Sequence, residues 1–122
     1  MAMKYLLDTN TLIYLQGGKL ADALPVGAYA YSVISEIELL SWPDIQPEQE
    51  SVWRGLLATL HRVEVDGFVR ETAIRLRRER KLKLPDALIA ASALVLGATL
   101  FTNDRQLLSI SDLPCQSLKL KP

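Results

Sequence analysis

The sequence predicts an α/β fold in which helices cover both faces of a central, mostly parallel sheet of four to five strands. Short apolar runs alternate with amphipathic segments along the chain, which is typical of a three-layer α/β/α arrangement. The first apolar run, Tyr5 to Leu7, contains no charge or turn residue and predicts a strand buried on both faces. With 122 residues, 49% of them hydrophobic, we expect one domain over 1–122.

The predicted elements follow one another without repeats or linkers. After the first strand we expect a helix over 11–16, a strand over 28–32, a helix over 35–41 and a longer helix from 47 to about 61. The second half is predicted to contain a strand over 63–65, an amphipathic helix over 68–80, an apolar helix over 86–97, a strand over 99–101, a helical turn over 105–109 and a candidate edge strand over 115–118.

Composition excludes several classes of protein. The longest apolar stretch, Ala87 to Ala98, is too short to span a bilayer, and no segment has the pattern of a signal peptide. Cys115 is the only cysteine, which excludes an internal disulfide and a cysteine-held zinc cluster. We therefore expect a cytoplasmic protein that does not enter a membrane.

The net charge is zero, but the charges are unevenly distributed. The segment 36–66 contains seven acids against two arginines, whereas 70–83 contains seven basic residues against two acids. The second segment predicts a basic lobe for an anionic partner, although a solvated helix face is the simpler interpretation. The basic residues that directly precede Asp86 are Arg75, Arg77, Arg78, Arg80, Lys81 and Lys83.

Four acids stand where the predicted fold would bring side chains together. Asp8 directly follows the first strand, Asp104 follows the strand at 99–101, Asp86 begins the apolar helix, and Glu38 lies in the helix after the second strand. Each has a simpler explanation on its own. Asp8, Asp86 and Asp104 could each cap a helix, where an Asp contributes about 1 kcal/mol. Glu38 follows Ser35 at the spacing of a capping box.

Taken together, the four acids predict a metal site, because the carboxyl ends of parallel strands meet at one edge of a sheet. Two carboxylates about 4 Å apart repel by roughly 4 kcal/mol at an effective dielectric constant near 20. A cluster of them implies protonation or a bound divalent cation, and oxygen-only ligands suit Mg²⁺ or Mn²⁺. Such ions support phosphodiester hydrolysis. His61, the only histidine, is interpreted as a structural helix residue.

Four segments carry a family resemblance that spans nearly the whole chain. They resemble, in order and spacing, the motifs of PIN-domain ribonucleases, specifically the VapC-type toxins of prokaryotic toxin–antitoxin pairs. The segments are Leu6 to Ile13, Ser32 to Leu39, Leu84 to Ala91 and Phe101 to Asp104. The resemblance implies a metal-dependent ribonuclease with Asp8, Glu38, Asp86 and Asp104 as its acidic cluster. It also implies an RNA substrate, an antitoxin that covers the cleft, and a homodimer.

The resemblance also bears on two ambiguous positions. Glu36 and Glu38 lie about 200° apart on a helix, so only one of them can face the cluster, and the family pattern selects Glu38. The fourth acid varies in the family, so either Asp104 or Asn103 could complete the site. Asn10, Thr102 and Asn103 are candidates for orienting a ligand or a water molecule.

Three other functions are compatible with parts of the sequence. The segment after the first strand resembles haloacid-dehalogenase-type phosphatases, in which such an acid forms an aspartyl-phosphate, but Asn10 stands where a second acid is needed. A non-catalytic binding domain on the same fold is another alternative. Within the nuclease interpretation, a housekeeping RNA-processing enzyme competes with the toxin.

Overall fold

The computed structural model describes residues 3–122, over which short strands alternate with helices. The strands are β1 (Lys4–Leu7), β2 (Ala28–Ser32), β3 (His61–Val63), β4 (Thr99–Phe101) and β5 (Cys115–Gln116). The helices are α1 (Thr9–Gln16), α2 (Val33–Leu40), α3 (Pro47–Leu57), α4 (Gly67–Arg80), α5 (Leu84–Leu96) and α6 (Arg105–Leu108).

The five strands form one sheet in the order β3-β2-β1-β4-β5, and each adjacent pair is parallel. From β1 the chain first builds outward through β2 to β3, and it then returns to place β4 on the other side of β1. This reversal creates a switch point between β1 and β4, where open α/β folds leave a crevice at the carboxyl ends of the strands. The sheet and its flanking helices confirm the predicted α/β fold.

Alternate residues of the strands supply two separate hydrophobic cores. Leu6, Ala30 and Leu100 face one side, where they pack with apolar residues of α4, α5 and α6. Tyr5, Leu7, Tyr31 and Phe101 face the other side, where they pack with residues of α1, α2 and α3. Burial on both faces explains why β1 contains no polar residue after Lys4, and it gives the three layers that the sequence predicts.

The third strand differs from the prediction. The chain leaves α3 at Leu57 through a turn, and His61 to Val63 pair with Ala30 to Ser32, so the strand begins two residues earlier than predicted. His61 therefore lies in an exposed edge strand, and its placement in a helix was wrong. The reason is that Val63 alone of the three is partly buried, which leaves no alternation of apolar and polar residues to mark the strand.

The apolar helix α5 also begins two residues earlier than predicted, at Leu84. Pro85 lies in its first turn, where a missing N–H costs nothing because that N–H would have no partner in the helix. Asp86 is consequently the third residue of α5, three positions after the N-cap residue. Between residues 3 and 122, no helix has the length and apolar character needed to span a membrane.

Candidate active site

The carboxyl ends of β1 and β4 border a cleft of about 140 Å³ that contains all four predicted acids. Each acid comes from a different part of the fold, since Asp8 follows β1, Glu38 lies in α2, Asp86 lies in the first turn of α5, and Asp104 precedes α6. Thr9, Asn10 and Ile89 complete the lining. The structure thus brings together residues as distant in the sequence as Asp8 and Asp104.

Asp8 is held at the switch point by two backbone contacts. Its own N–H donates to the carbonyl oxygen of Phe101 at 3.3 Å, and its Oδ1 accepts the N–H of Thr11 at 2.8 Å as the cap of α1. The Thr11 hydroxyl donates to the same Phe101 carbonyl at 3.0 Å. Asp8 is only 6% exposed. Capping therefore fixes one carboxylate oxygen and leaves the other for the cleft.

Asp104 is fixed in a similar way on the neighbouring strand. Its N–H donates to Oγ1 of the buried Thr102 at 3.0 Å, and its Oδ1 accepts the N–H of Leu107 at 3.0 Å as the cap of α6. Thr102 thus orients the backbone of a cleft residue without lining the cleft itself. The capping roles that offered a simpler explanation for Asp8 and Asp104 are real, and they coexist with the cluster. The same explanation is wrong for Asp86, because Lys83 is the N-cap residue of α5 and Asp86 is its third residue.

Asn103 lies outside the cleft. Its side-chain oxygen accepts the N–H of Leu118 at 2.7 Å, and its amide nitrogen donates to the Leu118 carbonyl at 3.0 Å. These two bonds tie the end of β4 to the C-terminal segment. Of the two residues that could complete the acidic cluster, the structure therefore places Asp104 in the cleft and Asn103 against the backbone of Leu118. Asn10 does line the cleft.

The two glutamates of α2 have different surroundings. Glu38 reaches the cleft and accepts the hydroxyl of Thr9 at 2.7 Å. Glu36 instead accepts the hydroxyl of Tyr31 at 3.1 Å and contacts Arg62 at 3.5 Å, outside the cleft. Ser32 caps α2 through the N–H of Ile34, so Glu38 has no capping-box role.

Sequence reasoning missed two hydroxyl groups next to the cleft. Thr9 Oγ1 lies 2.8 Å from Oγ of Ser35, and the same Thr9 hydroxyl donates to Glu38. The position of Ser35 could have been inferred from that of Glu38, because residues three apart on a helix lie on the same side. Thr9 directly follows Asp8, but its contact with a residue 29 positions later depends on how α1 and α2 pack.

The electrostatics of the cleft appear most clearly at Asp86. Partial burial raises the pKa of its carboxyl group, and repulsion from Asp104, Glu38 and Asp8 raises it further. Lys83 acts in the opposite direction and lowers this pKa. Desolvation and like charge both disfavour the ionised carboxylate. The other three acids of the cleft therefore repel the ionised Asp86.

The basic segment that precedes Asp86 contributes no residue to the lining of the cleft. Arg75 pairs with Glu79 and, like Arg80, with Asp112, which places these arginines in an ion-pair network on the surface. The guanidinium of Arg77 donates to the Leu82 carbonyl. Lys83, the residue at the N-cap of α5, is the member whose charge acts on Asp86. Of the seven basic residues of the expected lobe, Arg75 and Arg80 are thus paired with neighbouring acids.

The donor set suits a hard divalent cation, because carboxylate oxygens are the protein ligands of Mg²⁺ and Mn²⁺. Over residues 3–122, however, no three side chains of His, Cys, Asp or Glu converge closely enough to form a ready-made metal cage. Mg²⁺ usually retains several water molecules and binds through one or two carboxylates, so it does not require such a cage. The residues therefore fit a hydrated ion.

Comparison with known proteins identifies the family. A sequence profile described as the PIN domain matches residues 5–113. The chain belongs to the PIN-domain family. Its sequence has no match among curated proteins. Membership of this family confirms the resemblance drawn from the four motifs and supports a nuclease role.

Solved structures of similar fold come from toxin–antitoxin complexes. A toxin–antitoxin complex from Klebsiella pneumoniae includes a chain that is 30% identical, with a TM-score of 0.76 over 92% of the present chain and 95% of that chain. VapBC-1 from nontypeable Haemophilus influenzae gives 25% identity and a TM-score of 0.74 over 94% and 98%. VapBC2 from Rickettsia felis, bound to a DNA fragment from its promoter, shares the fold with a TM-score of 0.79 at 23% identity over 94% and 98%.

Proposed function

We propose that this PIN domain is a divalent-metal-dependent ribonuclease that hydrolyses phosphodiester bonds of RNA. The observation that carries the proposal is the convergence of four carboxylates from four separate elements on one cleft. Such a concentration of like charge is costly unless protons or cations neutralise it. Structural carboxylates can be placed apart from one another, so their grouping at the switch point indicates a functional site.

Asp8, Glu38, Asp86 and Asp104 are the residues that would hold Mg²⁺ or Mn²⁺. When bound, a divalent ion lowers the pKa of a coordinated water and stabilises the charge that develops on a phosphodiester in hydrolysis. The protein supplies the fixed oxygens. Helix capping restrains Asp8 and Asp104, and the Thr9 hydroxyl restrains Glu38.

The substrate is a polyanion, which the acidic cleft repels in the absence of a counter-charge. Lys83 is the N-cap residue of α5, three positions before Asp86, and its charge already acts on Asp86. We expect Lys83 to attract a phosphate of the RNA and to reduce this repulsion. Arg75 and Arg80 contribute less, because both are paired with Asp112.

The similarity to chains from toxin–antitoxin complexes supports a role as the toxin of such a pair. We propose that the partner is a cognate antitoxin protein that covers the acidic cleft, and that the nuclease forms a homodimer. Co-expression with the protein encoded by the adjoining gene should yield a stable complex in which RNA cleavage is inhibited. A chain that stays free of that protein and cleaves RNA equally in its presence would instead support a housekeeping nuclease.

The decisive experiment compares RNA cleavage by the wild type and Asp8→Asn in Mg²⁺, Mn²⁺ and EDTA. Asn is as good an N-cap residue as Asp, so this variant should keep α1 intact while removing the charge. We expect cleavage to fall by about 100-fold in the variant. EDTA should abolish cleavage by the wild type.

Glu36→Gln is the matched control, because Glu36 lies on the same helix as Glu38 but outside the cleft. It should cleave RNA like the wild type. Equal cleavage by Asp8→Asn, or cleavage that survives EDTA, would contradict the proposal. Absence of cleavage by the wild type on every RNA tested would favour the non-catalytic alternative. A phosphoryl group trapped on Asp8 would favour the phosphatase, an alternative that membership of the PIN-domain family does not support.

A further inference from the structure

We infer that Thr9 is a positioning residue for the Glu38 carboxylate and that Ser35 fixes the direction of the Thr9 hydroxyl. The inference deepens the proposed function and rests on it, because Glu38 is one of the four carboxylates proposed to hold the metal. Neither hydroxyl is required to touch the ion or the RNA.

The direction of the hydrogen bonds follows from the chemistry of the three groups. Thr9 Oγ1 lies 2.7 Å from Oε1 of Glu38 and 2.8 Å from Oγ of Ser35. An ionised carboxylate only accepts, and a hydroxyl has a single proton, so the Thr9 proton points to Glu38. The Ser35 hydroxyl must then donate to Thr9. The result is a directed chain from Ser35 through Thr9 to Glu38.

This chain of hydrogen bonds joins two helices that start at the carboxyl ends of neighbouring strands. Thr9 is the first residue of α1, whereas Ser35 and Glu38 are three apart on α2 and lie on the same side of it. Ser35 is fully buried, which fixes its rotamer through packing. Thr9 is thus oriented by a group that cannot itself move freely. A hydrogen bond to a charged acceptor is shorter and stronger than one between neutral groups, and linked hydrogen bonds reinforce one another.

The consequence for Glu38 is an asymmetric carboxylate. Oε1 is engaged by Thr9, whereas Oε2 has no hydrogen-bond partner among residues 3–122. Without Thr9, the long and flexible Glu38 side chain would have to be ordered when an ion binds, at a cost in conformational entropy. With Thr9 in place, part of that ordering is already complete. We therefore expect Thr9 to raise the affinity of the site for a cation.

The test is Mn²⁺ binding by the full chain in the absence of RNA, measured by titration calorimetry. Thr9→Val removes the hydroxyl at nearly constant shape and should weaken Mn²⁺ binding by about 10-fold, whereas Thr9→Ser retains a donor and should stay within about twofold of the wild type. Ser35→Ala should cause a smaller loss of a few fold, and it replaces Thr9→Val if that variant does not fold, as judged by thermal unfolding.

A double-mutant cycle separates positioning from a general loss of structure. If Thr9 acts through Glu38, Thr9→Val should have no further effect on Mn²⁺ affinity in a Glu38→Ala background. Equal Mn²⁺ binding by the wild type and Thr9→Val would overturn the inference alone. So would weak binding by Thr9→Ser, or a full effect of Thr9→Val in the Glu38→Ala background. Absence of Mn²⁺ binding by the wild type would overturn the proposed metal site and the inference together.

Discussion

The N–H of Asp8 donates a hydrogen bond to the carbonyl oxygen of Phe101 across the junction of β1 and β4. This contact joins the two strands at the switch point of the sheet and places the acid that follows β1 beside the segment that leads to Asp104. The two carboxylates that belong to the sheet edge are thus fixed by backbone geometry. Glu38 and Asp86 reach the same cleft from helices on opposite faces of the sheet.

Asp86→Asn should stabilise the metal-free protein. The ionised Asp86 is partly buried and repelled by three other acids, so removal of its charge relieves a native-state cost. We expect the Tm in EDTA to rise by a small amount, because solvent screens much of the repulsion at a carboxylate that is only partly buried. RNA cleavage should be lost. Thermal unfolding in EDTA checks the first result, and an unchanged or lower Tm would contradict it.

Bound metal should make the wild type more stable than Asp86→Asn, the reverse of the order expected in EDTA. A ligand at about 100 times its Kd stabilises the folded state by about 2.7 kcal/mol. Saturating Mg²⁺ should therefore raise the Tm of the wild type well above its value in EDTA, but leave Asp86→Asn almost unchanged. Glu36→Gln is the control and should respond like the wild type, because Glu36 lies outside the cleft. A wild type whose Tm does not respond to Mg²⁺ or Mn²⁺ would contradict a site at these acids.

The stability of the metal-free protein should also depend on pH through Asp86. Its pKa is raised on folding from an ordinary value of 3.8, so the folded state binds more protons than the unfolded state between the two values. Stability is therefore lost as the pH rises through this window and stays low above the folded pKa. The advantage of Asp86→Asn over the wild type should increase over the same window and then level off. Urea unfolding of both proteins measures it, and an advantage that shrinks as the pH rises would be the wrong sign.

Substitutions of Asp104 and Asn103 should have different effects on RNA cleavage and on stability. Asp104→Ser retains an N-cap for α6 and should change the free energy of unfolding by less than about 0.5 kcal/mol, while RNA cleavage falls by about 10–100-fold. Asn103→Ala loses both bonds to Leu118 and should destabilise the protein by about 1–3 kcal/mol. Its cleavage, measured where the protein is folded, should exceed that of Asp104→Ser. The reverse ranking would assign the fourth position of the cluster to Asn103.

Lys83 should contribute more to RNA binding than the arginines of α4. We expect Lys83→Gln to bind RNA more weakly than the wild type. The slope of log affinity against log salt concentration should also decrease by about one, which corresponds to the loss of one phosphate contact. Arg75→Gln is the matched control, because the Arg75 charge is already paired with Glu79 and Asp112. Binding to a cleavage-resistant RNA at several salt concentrations measures both. An equal loss in the two variants would mean that the surface ion pairs open to receive RNA.

The sequence contains enough local information to locate the acids but less to describe what surrounds them. The uninterrupted apolar run Tyr5 to Leu7 indicates a strand buried on both faces, so the position of Asp8 at a sheet edge follows from this run alone. The edge strand β3 could not be located in this way. His61 and Arg62 are exposed, and the strand is defined by backbone pairing with Ala30 to Ser32, which are about 30 residues away in the chain.

Side chains that act over long sequence separations were also beyond local reasoning. The choice between Asp104 and Asn103 depends on Leu118, 15 residues later, because Leu118 engages both polar atoms of the Asn103 amide. Thr9 and Glu38 are 29 residues apart, and no spacing rule links them. The sequence thus predicts which residue types converge, whereas their hydrogen-bond partners depend on the packing of the helices.

The bond between Asn103 and Leu118 has a consequence for the order in which the site is completed during synthesis. All four carboxylates have been incorporated by residue 104, but the residue that anchors the segment leading to the fourth is added 14 residues after Asp104. Strand β5, which covers the edge of β4, is also made after all four acids. A nascent chain therefore carries every acidic group of the cleft before it contains the residues that anchor the end of β4, so the support of the cleft is completed only after Leu118 has been added.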